Sequence, residues 1–136
     1  MKILICGLSG SGKTVLAKVL ERKLEYCFHL NADEVREKYN DWDFSLEGRI
    51  RQAKRMSSLA DELLKELDYV ICDFICPTNE TRKLVSPDYI IYMNTIDKSI
   101  FEDTDKVFEI PEFDFKVEKK NAEYYSSKII EDIKND

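Results

Sequence analysis

The segment from Gly7 to Thr14 reads GLSGSGKT and matches the pattern G-x-x-x-x-G-K-[ST]. The apolar run at 2–6 precedes it and is typical of a buried strand, whereas residues 15–24 have the spacing of an amphipathic helix. A strand, a glycine-rich loop and a helix in this order form the context that this pattern requires. The sequence therefore predicts a loop that binds the phosphates of ATP or GTP.

The residue types in this phosphate loop (residues 7–14) suit that role. Glycines allow the backbone to turn its N–H groups inward, and the N-terminus of the following helix adds positive potential. We expect Lys13 to reach the β- and γ-phosphates and the Thr14 hydroxyl to serve Mg²⁺, which prefers oxygen ligands. The predicted nucleotide-binding residues are Gly7, Ser9, Gly10, Ser11, Gly12, Lys13 and Thr14.

Length and charge limit the class of protein. The 136 residues are enough for one domain, predicted as a single P-loop kinase domain over 1–136, and no apolar run approaches the roughly 20 residues of a membrane span. The start leads directly into the strand, so no removable leader is expected and a cytoplasmic location is predicted. The net charge is −6, and residues 97–136 hold twelve acidic and seven basic residues. Such a surface argues against nucleic acid as the main partner.

Strand-like and helix-like segments alternate along the chain. Strands are predicted over 2–6, 26–30, 69–73, 89–93 and 113–117, and helices over 15–24, 34–40, 46–67, 79–85 and 122–134. Ser45 and Asn79 are the expected N-caps of two of these helices. The pattern predicts an α/β P-loop NTPase fold, a doubly wound and mostly parallel sheet of about five strands with helices on both faces.

Three features could have either a functional or a purely structural role. The acidic segment (residues 95–112) lies where a P-loop kinase often has its lid, but a solvated loop fits it equally well. His29 is expected to be packed or partly exposed rather than catalytic. The cysteines show no metal-binding spacing and are interpreted as small core residues; they are Cys6, Cys27, Cys72 and Cys76.

In a parallel sheet, ligands bind beyond the carboxyl ends of the strands, so residues 7–14, 31–36 and 73–77 should converge on one crevice. Asp33 could accept the proton of an acceptor hydroxyl, or it could simply cap a helix. Asp73 follows a buried strand and is expected to hold a Mg²⁺-bound water. The guanidinium groups of Arg36, Arg49 and Arg55 suit an anionic acceptor, whereas Arg51 and Lys54 are expected to be solvated.

Over roughly residues 3–94 the chain resembles adenylylsulfate (APS) kinase. The resemblance rests on the phosphate loop, on LNADEVR at 30–36, on Phe44-Ser45 followed by Arg49 and Lys54-Arg55, and on FICP at 74–77. It implies that Asp33 is the catalytic base and that Lys13 and Thr14 serve MgATP. It also implies that Arg36, Arg49 and the regions of Phe44 and Ile75 bind the APS nucleotide.

The chain departs from the family motifs at several positions. Asn31 replaces an acid, Ala32 a glycine, Gln52 an asparagine and Lys54 an arginine, and the acidic segment stands where the family has a basic lid. The leading hypothesis is an ATP-dependent, Mg²⁺-requiring kinase that phosphorylates the 3′-hydroxyl of APS. A kinase for a nucleoside, a sugar or a polynucleotide 5′ end and a nucleotide-binding protein that has lost catalysis are the alternatives. A homodimer is left open.

Overall fold

The computed structural model describes residues 1–135 and contains a parallel sheet with the strand order β2-β3-β1-β4-β5. The first strand, β1, lies in the centre, where it pairs with β3 on one side and β4 on the other, and all of its residues are buried. The strands are β1 (Lys2–Gly7), β2 (Cys27–Asn31), β3 (Tyr69–Asp73), β4 (Tyr89–Met93) and β5 (Phe115–Val117). The predicted fold class is confirmed.

Helices cover both faces of the sheet. They are α1 (Lys13–Lys23), α2 (Ala32–Tyr39), α3 (Leu46–Leu63), α4 (Asn79–Val85), α5 (Glu102–Val107) and α6 (Ala122–Lys134). None of the helices within residues 1–135 is both long and apolar enough to cross a membrane.

Alternate residues of β1 belong to two separate cores. Ile3 and Ile5 pack in the core that α1 and α6 cover, whereas Leu4 and Cys6 face the core covered by α3 and α4. Side chains alternate across a strand, so the apolar residues 3–6 of this central strand are buried on both faces. This arrangement sets the carboxyl ends of β1, β2 and β3 side by side at one edge.

The cysteines lie in or beside these cores, as expected from the sequence. Cys6, Cys72 and Cys76 are buried and Cys27 is half-buried, and all four are free thiols. Burial raises the pKa of Cys6 to about 11 and that of each of the other three to about 12. Such thiols are protonated at neutral pH, which fits a packing role.

The structure corrects several local predictions. Thr78, not Asn79, caps α4, because the Thr78 hydroxyl accepts a hydrogen bond from the backbone N–H of Thr81. Ser45 does cap α3, but the helix ends at Leu63 because the chain tightens into turns before β3. β5 begins at Phe115, two residues later than predicted. The acidic segment is not a plain loop, since it contains the short helix α5.

Candidate active site

The phosphate loop has the backbone shape that its glycines allow. Gly10 and Gly12 have φ angles of 84° and 100°, a left-handed region that residues with a Cβ rarely adopt. The backbone N–H of Ser11 donates to the carbonyl oxygen of Leu8 at 3.1 Å, which closes the turn. Helix α1 begins at Lys13, so its N-terminus faces the interior of this turn, as an anion-binding loop requires.

Lys13 is buried beneath the loop that it would serve. Its Nζ donates to the carbonyl oxygen of Leu8 at 2.9 Å, which holds the side chain across the loop. Burial lowers the pKa of Lys13, and the carboxylates of Asp73 and Asp33 offset part of that effect. The ammonium group is thus directed at the place where the loop would bind phosphates.

The carboxylate of Asp73 is the centre of a polar cluster at the strand ends. Its Oδ2 accepts from Thr14 Oγ1 at 2.7 Å and from Asn31 Nδ2 at 2.9 Å, and His29 Nε2 lies 2.8 Å away. Burial by itself raises the pKa of Asp73, but the hydrogen bonds from His29, Thr14 and Asn31 outweigh it and hold the pKa below its usual range. Asp73 is therefore an ionised, fixed carboxylate beside the Thr14 hydroxyl.

Asp33 is an exposed residue in the first turn of α2 and faces the cleft. The side chain of Asn31 caps this helix by accepting from the backbone N–H of Glu34 at 3.0 Å. The alternative that Asp33 serves as the helix cap is therefore wrong. Its carboxylate has no hydrogen bond or ion pair with any of residues 1–135, so it is available to a ligand in the cleft.

Arg36 shapes the loop that follows α2. Its Nη1 donates to the backbone carbonyls of Asp41 at 2.9 Å and Asp43 at 3.3 Å, and its guanidinium carbon lies 4.4 Å from the centre of the Phe44 ring. Burial lowers the pKa of Arg36, while Asp41 and Asp33 counteract this. Arg36 therefore presents Phe44 to the cleft, a structural role that the sequence did not indicate.

The remaining arginines differ in position. Arg49 lines the cleft, and its Nη2 lies 3.5 Å from the hydroxyl of Thr104 in α5. Arg55 points elsewhere, since its Nη1 donates to Asp41 at 3.1 Å and its guanidinium group stacks on Tyr39. Arg55, which the sequence predicts to suit an anionic acceptor, does not line the cleft. Arg51 is an exposed partner of Asp41 and Asp43, as expected for a surface charge.

Residues of the phosphate loop, of α2 and α3 and of the end of β3 line one cleft of about 440 Å³. It brings together the predicted site residues except Arg55, which points elsewhere, and Gly7 and Ser11, which are buried within the loop. The predicted residues in the cleft are Ser9, Gly10, Gly12, Lys13, Thr14, Asp33, Arg36, Phe44, Arg49, Asp73 and Ile75. Phosphate-loop residues form one side of the cleft, and residues from α2, α3 and the end of β3 form the other.

The acidic segment is anchored at both ends. Near its start, the Thr95 hydroxyl donates to the carbonyl oxygen of Ser11 in the phosphate loop at 2.6 Å. Near its end, the buried Arg82 donates to the carbonyl oxygens of Glu109 at 2.6 Å and Cys76 at 2.9 Å. Between these anchors, Thr104 of α5 reaches the cleft. The segment therefore borders the cleft on the side of Arg49.

Sequence reasoning missed the polar contacts that His29, Asn31 and Thr95 make at this site. His29 and Asn31 contact Asp73, and Thr95 contacts the phosphate loop. The sequence held a signal for the first two, because residues two apart in a strand share a face, so His29 and Asn31 lie on the same face of β2. The structure shows in addition that Asn31 is the register partner of Asp73. No sequence signal indicated Thr95.

The parallel sheet, the phosphate loop and the buried lysine beneath it define a P-loop kinase fold. The family model described as adenylylsulphate kinase matches residues 1–105. The chain therefore belongs to the adenylylsulphate kinase family, as the resemblance predicted.

Individual relatives agree with this assignment. The chain is 33% identical over 87 residues to an adenylyl-sulfate kinase of Phocaeicola vulgatus, which covers 60% of the chain and 43% of the relative. It is 39% identical over 84 residues to an adenylyl-sulfate kinase of Shewanella pealeana, covering 58% of the chain and 41% of the relative. The chain spans less than half the length of these curated relatives.

A solved structure shares the fold over nearly the whole chain. The Mycobacterium tuberculosis APS kinase CysC in complex with AMPPNP and APS superposes with a TM-score of 0.79 at 20% identity, covering 98% of this chain and 96% of that one. At this identity the likeness concerns the fold alone.

Proposed function

We propose that the chain is an ATP-dependent kinase that transfers the γ-phosphoryl group to the 3′-hydroxyl of adenylyl sulfate, yielding phosphoadenylyl sulfate and ADP. The observation that carries this proposal is the single cleft in which the phosphate loop faces Asp33, Arg36, Phe44 and Arg49. A nucleotide hydrolase needs only the phosphate-loop side of such a cleft. The opposite side supplies an acid, two guanidinium groups and an aromatic ring, which suit an anionic nucleotide acceptor.

The ATP half of the site acts by positioning and charge. Backbone N–H groups of the phosphate loop and the N-terminus of α1 would bind the phosphates, with Lys13 between the β- and γ-positions. The hydrogen bond from Lys13 to the carbonyl oxygen of Leu8 holds the ammonium group at the loop. Preorganised donors of this kind lower the barrier by stabilising the charge that develops in the transition state.

The donor set fits Mg²⁺. The hydroxyl of Thr14 and the carboxylate of Asp73 are oxygen ligands 2.7 Å apart, and a hydroxyl that donates to Asp73 keeps its lone pairs for a metal ion. The contacts of Asp73 with residues 1–135 all involve Oδ2, so Oδ1 is the atom that could accept from a metal-bound water. Bound there, Mg²⁺ would neutralise part of the phosphate charge.

The acceptor half contains the proposed base. Asp33 is exposed to the cleft and free of partners within residues 1–135, so its carboxylate could accept the proton of the attacking hydroxyl. Arg49 and the Arg36–Phe44 pair would hold the sulfate, phosphate and base of the acceptor, with Ile75 on the opposite wall. Holding both substrates in line is the main contribution that a kinase makes to phosphoryl transfer.

The test is a transfer assay with several acceptors. The protein is incubated with MgATP and, separately, APS, nucleosides, sugars or a 5′-hydroxyl oligonucleotide, and both ADP and the phosphorylated product are measured. Among these acceptors, we expect only APS to give a product, with phosphoadenylyl sulfate and ADP formed in equal amounts. Another productive acceptor would replace APS in the proposal, and binding of ATP without transfer to any acceptor would favour the protein that has lost catalysis.

A pair of neighbouring acids on α2 provides a matched control. Asp33→Asn keeps the shape of the side chain but removes the base, and we expect kcat to fall by about 10²- to 10⁴-fold. Glu34 is also exposed but does not line the cleft, so Glu34→Gln should keep the wild-type rate. Equal rates for both variants would remove Asp33 from the mechanism.

A further inference from the structure

Lys120 lies beside the phosphate loop although it is distant from it in the sequence. It follows β5 and lines the same cleft as Ser9, Gly10 and Lys13. Its Cγ is 3.8 Å from the position that a Cβ on Gly12 would occupy. The stem of Lys120 therefore runs alongside the loop that would hold the nucleotide phosphates.

The backbone at Lys120 is fixed while its charged group is free. The backbone N–H of Asn121 donates to the carbonyl oxygen of Lys119 at 2.9 Å, and the Asn121 side chain caps α6. The stem of Lys120 also borders a small pocket next to Met93 and Val117, which suits its methylene groups. Its ammonium group has no hydrogen bond or ion pair within residues 1–135, and the neighbouring Glu118 pairs with Lys116.

The charges around the cleft show why a cation is needed at this place. Asp33 and Asp73 contribute carboxylates, and α5 adds Glu102, Asp103 and Asp105 on the side of Arg49. Lys13 is the buried cation of the loop. Arg36 and Arg49 are the cations on the acceptor side of the cleft, so a cation beside Lys13 would stabilise the anionic ATP complex on the nucleotide side.

We infer that Lys120 binds the nucleotide phosphates at the phosphate loop, as a second cation beside Lys13. The inference rests on the nucleotide half of the proposed function and does not depend on the acceptor. The contrary view is a solvated surface lysine, which would leave nucleotide binding unchanged when its charge is removed.

Three variants separate these views. Lys120→Met keeps an unbranched stem without the charge, Lys120→Arg keeps the charge, and Lys119→Met removes an adjacent charge that does not line the cleft. Binding of ATP and of adenosine to each purified chain is measured by titration calorimetry in Mg²⁺ buffer without acceptor. Circular dichroism verifies that each variant is folded.

We expect Lys120→Met to weaken ATP binding by about tenfold, the effect of losing one charge-assisted hydrogen bond at a partly exposed site. Adenosine binding should stay unchanged, Lys120→Arg should restore most of the ATP affinity, and Lys119→Met should stay within about twofold. Added salt should reduce the difference between wild type and Lys120→Met, because it screens the charge.

The inference is overturned if Lys120→Met binds ATP within about twofold of wild type, or if Lys119→Met loses as much affinity. An equal loss for adenosine would also overturn it, because the effect would then not come from the phosphates. If the chain transfers no phosphoryl group to APS but the ATP results are as expected, the proposed acceptor fails and the role of Lys120 stands.

Discussion

Replacing Gly48 by alanine has two opposite effects on the free energy of unfolding: alanine favours the helix, but its methyl group overlaps a neighbouring loop. Gly48 lies in the first turn of α3 and its Cα faces the 40–45 loop that carries Phe44. A methyl group there would overlap the backbone carbonyl and the side chain of Asp43. Helix propensity favours alanine over glycine by about 1 kcal/mol, so without this contact the variant would be more stable.

The cost of the overlap is larger. The neighbouring atom is a backbone carbonyl, so the loop itself must move, which weakens the bond from Arg36 to Asp43 and the cap from Ser45 to the Gly48 N–H. A helix cap contributes about 1 kcal/mol and a hydrogen bond to a charged group about 1.5–3 kcal/mol. After subtraction of the gain in propensity, we expect Gly48→Ala to lower the free energy of unfolding by about 2 kcal/mol.

For a chain of this length, that loss lowers the Tm by roughly 6–10 °C, measured by circular dichroism. Trp42 is the only tryptophan in the sequence and its ring centre is 6.5 Å from that of Phe44, so its fluorescence reports directly on the loop. The KM for the acceptor should rise because Phe44 and Arg36 shift, whereas the affinity for ATP should change little.

Ser58→Ala is the matched control, since Ser58 is an exposed residue of the same helix and alanine raises helix propensity there without a new contact. Its Tm should equal or slightly exceed that of the wild type. If Gly48→Ala is as stable as Ser58→Ala and keeps the wild-type fluorescence of Trp42, the proposed contact with the loop is refuted.

Three further predictions concern the rest of the site. Lys13→Met should lower kcat with any acceptor by about 10²- to 10³-fold and leave the Tm nearly unchanged; a wild-type rate would contradict its phosphate-binding role. Arg82→Met should cost about 3 kcal/mol of stability and expose residues 95–112 to limited proteolysis, and unchanged cleavage would refute the anchor. Iodoacetamide at pH 8 should label fewer than about one thiol per native chain and all of them after unfolding; rapid native labelling would refute the core assignment of Cys6, Cys27, Cys72 and Cys76.

The sequence predicted those parts of the molecule that depend on local patterns. The glycine spacing defined the phosphate loop, and apolar runs located the strands, because each pattern reflects steric or burial requirements of neighbouring residues. The convergence of Asp33 and Asp73 with the phosphate loop also followed, since parallel strands end at a common edge.

Contacts between distant segments could not be predicted in this way. The bond from Thr95 to Ser11 depends on how the chain leaves β4, and the position of Lys120 depends on the register of β5. Helix α5 was missed because a helix of six residues has little propensity signal of its own. The oligomeric state and the cytoplasmic location stay predictions.

The departure from the family motif at position 31 has a physical explanation in the pairing of β2 with β3. Asn31 and Asp73 are register partners, and the Asn31 amide donates to the Asp73 carboxylate at 2.9 Å. Two carboxylates at that distance would repel each other and would need a shared proton or a cation. An amide at one strand end and an acid at the other avoid this cost, and His29 adds a further contact with the same oxygen. The strand ends therefore retain one ionised carboxylate beside Thr14, so the loss of the motif's acid at position 31 does not argue against catalysis.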